Sequence, residues 1–152
     1  MRILIVNTSE RTGGAAVAAG RLVSALNNSG AQARMLVRDK QTTNPVVVAL
    51  PKGVRNRWRF FWERWTIFWH LHFKRHNLFA IDVANTGADI TSLREFKQAD
   101  VIHLSWINQG MLSLKSIRKI LRSGKPVVWT MHDIWLATGI CHVTLDCTHF
   151  HT

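Results

Sequence analysis

Three groups of residues in this chain are of types that can do chemistry: a glycine pair behind the first apolar run, an imidazole beside a carboxylate, and a set of cysteines and histidines. Gly13 and Gly14 close the segment Thr8-Ser-Glu-Arg-Thr-Gly-Gly14, which follows the buried-strand pattern Met1-Arg-Ile-Leu-Ile-Val-Asn7 and precedes the helical run Ala15 to Leu26. A helix opened by glycines offers free backbone N–H groups to an anion, so Gly13, Gly14 and Ala15 suggest phosphate or sugar-phosphate binding. The loop lacks the Lys-Ser/Thr pair of a P-loop and the three-glycine spacing of a dinucleotide fingerprint. The alternative is a tight turn in which both glycines supply positive φ and the small residues serve helix packing.

His132-Asp133 follows the apolar run Val127 to Met131. An imidazole beside a carboxylate at a strand end can bind hydroxyl groups as donor and acceptor together, which makes both residues catalytic candidates. The competing role for Asp133 is the N-cap of a helix starting Ile134-Trp-Leu136. His103, Trp106 and Asn108, in and just after the run from Asp100, are candidates for an acceptor cleft, although His103 alone also reads as a core histidine. Cys141, His142, Cys147 and His149, with His151 beyond, combine thiol and imidazole in the manner of zinc ligands. Their spacing is not a complete zinc signature, so a reduced structural loop and a histidine-rich tail without a role stay open.

The net charge is +11, and it is unevenly placed. Seven lysines and arginines against one acid, Glu63, lie between Lys52 and His76, together with four of the seven tryptophans. At about 100° per residue, Trp58, Phe61, Trp62, Trp65, Phe68, Trp69 and Phe73 form one broad face of a helix over Arg55–Arg75, flanked by Arg57, Arg64 and Arg75. Indole and guanidinium together suit the surface of an anionic bilayer. Packing of the aromatic face onto protein is the rival reading. Nucleic acid is the weaker rival, because basic charge with interleaved aromatics can clamp a single strand but so continuous an aromatic face does not match the spacing of bases; a non-catalytic α/β module docking on anionic membrane or nucleic acid is the alternative function.

These groups need a scaffold, and the rest of the sequence supplies one domain of 152 residues. Strand patterns at Ala33–Arg38, Val46–Leu50, Asp100–Trp106 and Val127–Met131 alternate with helical patterns, including a short helix near Ser92–Lys97 and an amphipathic one over Leu112–Arg122. Gly30 reads as a helix C-cap. Alternation of this kind predicts an α/β fold, a Rossmann-like parallel sheet with helices on both faces, with the last run buried. In such sheets ligands bind beyond the carboxyl ends of the strands, which would gather the glycine loop, the segment after His103 and His132-Asp133 at one edge. No window reaches the roughly 18 to 20 apolar residues of a spanning helix, and the amino terminus lacks a signal-peptide layout. With only two cysteines, this predicts a cytoplasmic chain without a disulfide framework.

The motifs also resemble a family. Met1-Arg-Ile-Leu-Ile-Val with Gly13-Gly-Ala-Ala, Asp100-Val-Ile-His-Leu-Ser-Trp-Ile-Asn-Gln-Gly110, Val128-Trp-Thr-Met-His-Asp-Ile-Trp135 and Thr138-Gly-Ile-Cys-His142 resemble the N-terminal domain of family 4 retaining glycosyltransferases, particularly bacterial exopolysaccharide enzymes of colanic-acid or capsule type. The resemblance implies one half of a GT-B fold, the acceptor side, with a donor-binding C-terminal half not contained in residues 1–152. It implies a nucleotide-sugar donor as substrate, no required cofactor, and a saccharide or polyprenyl-linked acceptor at the inner leaflet of the cytoplasmic membrane. Gly13, Gly14 and Ala15 would close on the donor phosphate and sugar, and His132 would contact the transferred sugar. Related enzymes carry further cysteines downstream, so a thiol or zinc site would extend past Thr152. Residues 1–152 alone are expected to be inactive.

Overall fold

The computed structural model describes residues 1–51, 54–70, 73 and 81–143, with the side chains of 54–57, 59 and 60 excepted. Cys147, His149, His151 and Arg75, and the side chain of Arg57, lie outside this description. The elements are β1 (Arg2–Ser9), α1 (Gly14–Asn28), β2 (Gln32–Asp39), β3 (Val47–Ala49), α2 (Val54–His70), α3 (Arg94–Gln98), β4 (Val101–Leu104), α4 (Leu114–Leu121), β5 (Val127–Trp129) and α5 (Trp135–Thr138). The five strands form one parallel sheet in the order β3-β2-β1-β4-β5. This is an α/β, Rossmann-like sheet with helices on both faces.

Alternation along β1 divides the core. Ile3 and Ile5 pack with Ala19 and Val23 of α1 and with Ala33, Met35 and Val37 of β2 on one face. Leu4 and Val6 pack on the other face with Phe96 of α3, Ile117 and Ile120 of α4, and Trp135 of α5. Each strand thus has apolar residues on both sides, which is why the runs look continuously apolar. The chain leaves α1 as expected at Gly30, with the Gly30 and Ala31 N–H groups donating to Asn27 and Leu26 carbonyls.

Four expectations need correction. β1 runs on past Asn7 through Thr8 and Ser9, and all three are buried although polar, because each is hydrogen-bonded: the Asn7 amide to the Ser9 carbonyl at 2.7 Å, Thr8 Oγ1 to the Asn108 carbonyl at 2.9 Å, and Ser9 Oγ to Asp39 at 3.2 Å. α4 begins at Leu114 and not at Leu112, since Ser113 caps it by accepting the Ser116 N–H at 3.1 Å. β5 is an edge strand and not a buried one: Val128 is 53% exposed, as α1 covers the sheet over β1 and β2 and no described helix covers this side of β5. The described part of α2 ends at His70, and the helix does not run on through Phe73, which lies in a turn with φ 63°, its N–H returning to the Phe68 carbonyl.

The larger correction concerns Arg64. It does not flank an exposed aromatic face; it is buried on the opposite side of α2 with Glu63 and Ile67. The spacing explains this, because Ile67 stands one turn from both Glu63 and Arg64, and at about 100° per residue the three lie on the side away from Trp58, Trp62, Trp65 and Trp69. Arg64 donates to the Ile81 carbonyl at 3.2 Å and lies 3.6 Å from both Glu63 and Asp82. Trp58, Phe61, Trp62, Trp65, Trp69 and Phe73 are each between 55% and 65% exposed. Helix α2 is therefore reversed relative to a usual surface helix, with Glu63 and Arg64 inward and aromatics outward.

Candidate functional site

The strand order changes direction between β1 and β4, and open α/β sheets place their crevice there. The ends of these two strands are stitched together: the Thr8 N–H donates to the Trp106 carbonyl at 2.8 Å, and the Trp106 N–H to Asn7 Oδ1 at 2.9 Å. Above them opens a cleft of about 590 Å³ lined by Thr8, Ser9, Thr12, Gly13, Gly14, Ala15, Arg38, Asp39, Trp106, Gln109 and His132. The glycine loop, Trp106 and His132, far apart in sequence, meet in it as the strand-end rule predicts.

Gly13 takes φ 88° and turns the chain from β1 into α1, the conformation a side chain would oppose. Gly14 differs from the two-glycine turn expected of it: it is the first residue of α1, and only Gly13 has positive φ. A Cβ at Gly14 would meet nothing within 4 Å, so the protein's own packing does not require glycine there. The open space above Gly14 is the cleft itself. No side chain caps α1, and its first N–H groups remain available to a bound anion.

His132 is held by Ser105, its Nε2 lying 2.9 Å from the Oγ. His103 does not line the cleft. It is buried one layer down, Nε2 at 2.8 Å from Thr130 Oγ1, and burial first and neighbouring His132 second hold its pKa below the ordinary value. Asn108 is also buried; its side-chain nitrogen has no hydrogen-bond partner among the described residues, while its backbone carbonyl accepts from Thr8.

Asp133 faces protein and not the cleft. Its Oδ2 accepts from Trp106 Nε1 at 2.9 Å and from His142 Nδ1 at 2.6 Å, and its Oδ1 accepts the Trp135 N–H at 3.0 Å. The last bond is the capping contact anticipated for Asp133, although the cap position of α5 falls on Ile134. His142 is thereby committed through Nδ1. Cys141 and His142 are the two described members of the expected zinc set, and among the described residues no group of three or more His, Cys, Asp or Glu side chains is arranged to hold a metal.

Two cleft residues, Arg38 and Asp39, gave no sequence signal, and a third, Gln109, closes the segment from His103 that the strand-end rule gathered. Arg38 and Gln109 meet through a bond from the Arg38 guanidinium to the Gln109 carbonyl, while the Gln109 N–H donates to Asp82 Oδ2. Gln109 has φ 56°, so a non-glycine residue is held in the left-handed region by clamps on both its peptide groups. Asp39 ends β2 and accepts from Ser9 and from Gln41 at 2.7 Å. Nothing in the sequence pointed to Arg38 or Asp39.

The chain matches no family model, no curated protein and no solved structure. Among the described residues no helix is long and apolar enough to cross a membrane.

Proposed function

We propose that this chain is the acceptor-side half of a retaining glycosyltransferase that moves a sugar from a nucleotide-sugar donor to a saccharide, polyprenyl-linked at the membrane surface. The observation that carries the reading is the cleft at the β1/β4 crossover, where an uncapped helix start at Gly14 and the His132 imidazole face one space. The first group suits the phosphate and the second the hydroxyls of a phosphosugar. The sequence resemblance to family 4 enzymes supplies the reaction class. In such a reaction the acceptor hydroxyl attacks on the side that the diphosphate leaves and its proton passes to that phosphate. The protein then needs no nucleophile of its own; it orients the partners and stabilises charge.

The membrane part of the proposal rests on α2, whose outward aromatic face has no covering element among the described residues. An anionic bilayer accounts for indoles and cations together, whereas a protein partner accounts for the indoles alone.

The test is labelled-sugar transfer by the complete enzyme on vesicles bearing a polyprenyl-linked acceptor. His132→Ala is expected to lower the rate at least tenfold, about 1.4 kcal/mol of transition-state stabilisation, with the thermal midpoint unchanged. An unchanged rate removes His132 from the site. Residues 1–152 by themselves are expected to transfer nothing.

A further inference from the structure

We propose that Trp106 is the wall of the cleft on which a pyranose ring stacks, and that Asp133 and His142 are the residues that hold its indole in position. This rests on the sugar-transfer reading and names the group that meets the sugar. Trp106 is half-buried at the end of β4, and it is the aromatic ring of a cleft otherwise lined by Thr8, Ser9, Thr12, Gln109 and His132 among other small or polar residues. A pyranose presents C–H groups on a ring face and hydroxyls around its rim. One π surface among hydrogen-bonding side chains meets both.

The indole is fixed from behind. Asp133 Oδ2 takes the Trp106 Nε1–H at 2.9 Å and the His142 Nδ1–H at 2.6 Å, while Oδ1 takes the Trp135 N–H at 3.0 Å. A carboxylate only accepts, so the His142 nitrogen facing it carries the proton. With three protein donors on its two oxygens, Asp133 acts through Trp106 and is a positioning residue. The His142 ring also backs the indole directly, its centroid 5.8 Å away at a tilt of 41°. A platform locked by charge-assisted bonds loses little side-chain freedom when a sugar settles on it.

The experiment uses the chain with ¹⁵N-labelled indoles and imidazoles, the Trp106 and His132 signals being assigned by their loss in Trp106→Phe and His132→Ala, and methyl β-glucopyranoside and methyl β-galactopyranoside as probes. In the wild type the Trp106 indole proton is expected downfield and slow to exchange, and one of the glycosides shifts it. Asp133→Ala and His142→Ala move it upfield, speed its exchange and weaken glycoside binding roughly three- to tenfold. His142→Asn, whose amide nitrogen occupies the Nδ1 position, restores both readouts; His142→Gln, which imitates Nε2, does not. Rescue by His142→Gln in place of His142→Asn, or an unmoved indole signal in Asp133→Ala, overturns the positioning roles. Glycoside shifts at His132 without any at Trp106 overturn the platform and leave the transfer reading standing. Shifts at Trp106 in a protein whose complete enzyme transfers no sugar keep the platform and sink the transfer reading. No shift at either residue with either glycoside overturns the proposal.

Discussion

The Glu63 and Asp82 carboxylates, both fully buried, share one guanidinium: Arg64 Nη2 stands 3.6 Å from an oxygen of each. Two carboxylates buried side by side repel each other in spite of Arg64, with Arg38 also near enough to feel both acids, and the relief is a retained proton on Glu63. Burial first, and then Asp82 beside it, lift the Glu63 pKa to about 8 against the opposing pull of Arg64. This cluster fastens α2 to the body, and through Asp82 it reaches the Gln109 N–H at the cleft.

The sign of the pH dependence follows. Below the ordinary glutamate value of 4.5, Glu63 is protonated whether the chain is folded or not. As pH rises from there to about 8, the unfolded chain gives up the proton and the folded one keeps it, so stability falls across that window and levels off above it. The loss is on the order of a few kcal/mol. Glu63→Gln mimics the protonated form and is expected to be as stable as wild type at the acid end and more stable at pH 9. Urea midpoints measured across the range check this; a constant difference between the two proteins at every pH would exclude a titrating Glu63.

Gly14 offers a substitution in which stability and binding move in opposite directions. With no atom within 4 Å of a Cβ there, Gly14→Ala is expected to raise stability by up to about 1 kcal/mol through better helix propensity. The same methyl group intrudes where phosphate approaches the start of α1, so the donor KM of the complete enzyme is expected to rise. A higher thermal midpoint with an unchanged donor KM would make Gly14 a neutral turn residue.

Most of the scaffold was legible because its signals are local. Apolar runs gave the five strands, and the strand-end rule gathered Gly13, Gly14, Trp106 and His132 at one edge before any coordinates. What escaped depends on tertiary partners. Thr8 and Ser9 look like loop, yet they finish β1 because their hydroxyls meet Trp106, Asn108 and Asp39 across the sheet. Helical spacing put Arg64 on the side of Ile67, but as a cation it was assigned to the solvated flank of the aromatic face, and Asp82, eighteen positions on, is the partner that lets it turn inward. Asp133 read as catalytic from its place beside His132, whereas its three donors come from Trp106, Trp135 and His142.

Gly87 is where the loop leading from Asp82 presses against the start of α4. A Cβ at this position would lie 2.1 Å from the Ser113 nitrogen and 2.2 Å from the Leu112 carbonyl carbon, both backbone atoms that cannot rotate aside. Gly87→Ala is therefore expected to cost about 3 kcal/mol, seen as a lowered denaturation midpoint. The neighbouring Ala88 N–H to Met111 carbonyl bond, 2.8 Å long, should lose its protection from hydrogen exchange first. A midpoint within error of wild type would mean that the loop and α4 separate freely.

The outward face of α2 makes the final prediction. Trp62 and Trp65 are 58% and 55% exposed, so replacing both by Ser removes little packing and should leave the thermal midpoint nearly unchanged. If the face enters a bilayer, wild type floats with anionic liposomes and the double variant does not. Salt separates insertion from simple charge attraction: at 1 M the screening length is ~3 Å, which extinguishes a Coulombic contact but leaves buried indoles in place. Arg64→Gln serves as the internal contrast, because Arg64 lies with Glu63 and Asp82 and its loss should lower stability without releasing the folded protein from the membrane. A wild type that never floats, or a double serine variant that unfolds, would assign the aromatic face to protein packing.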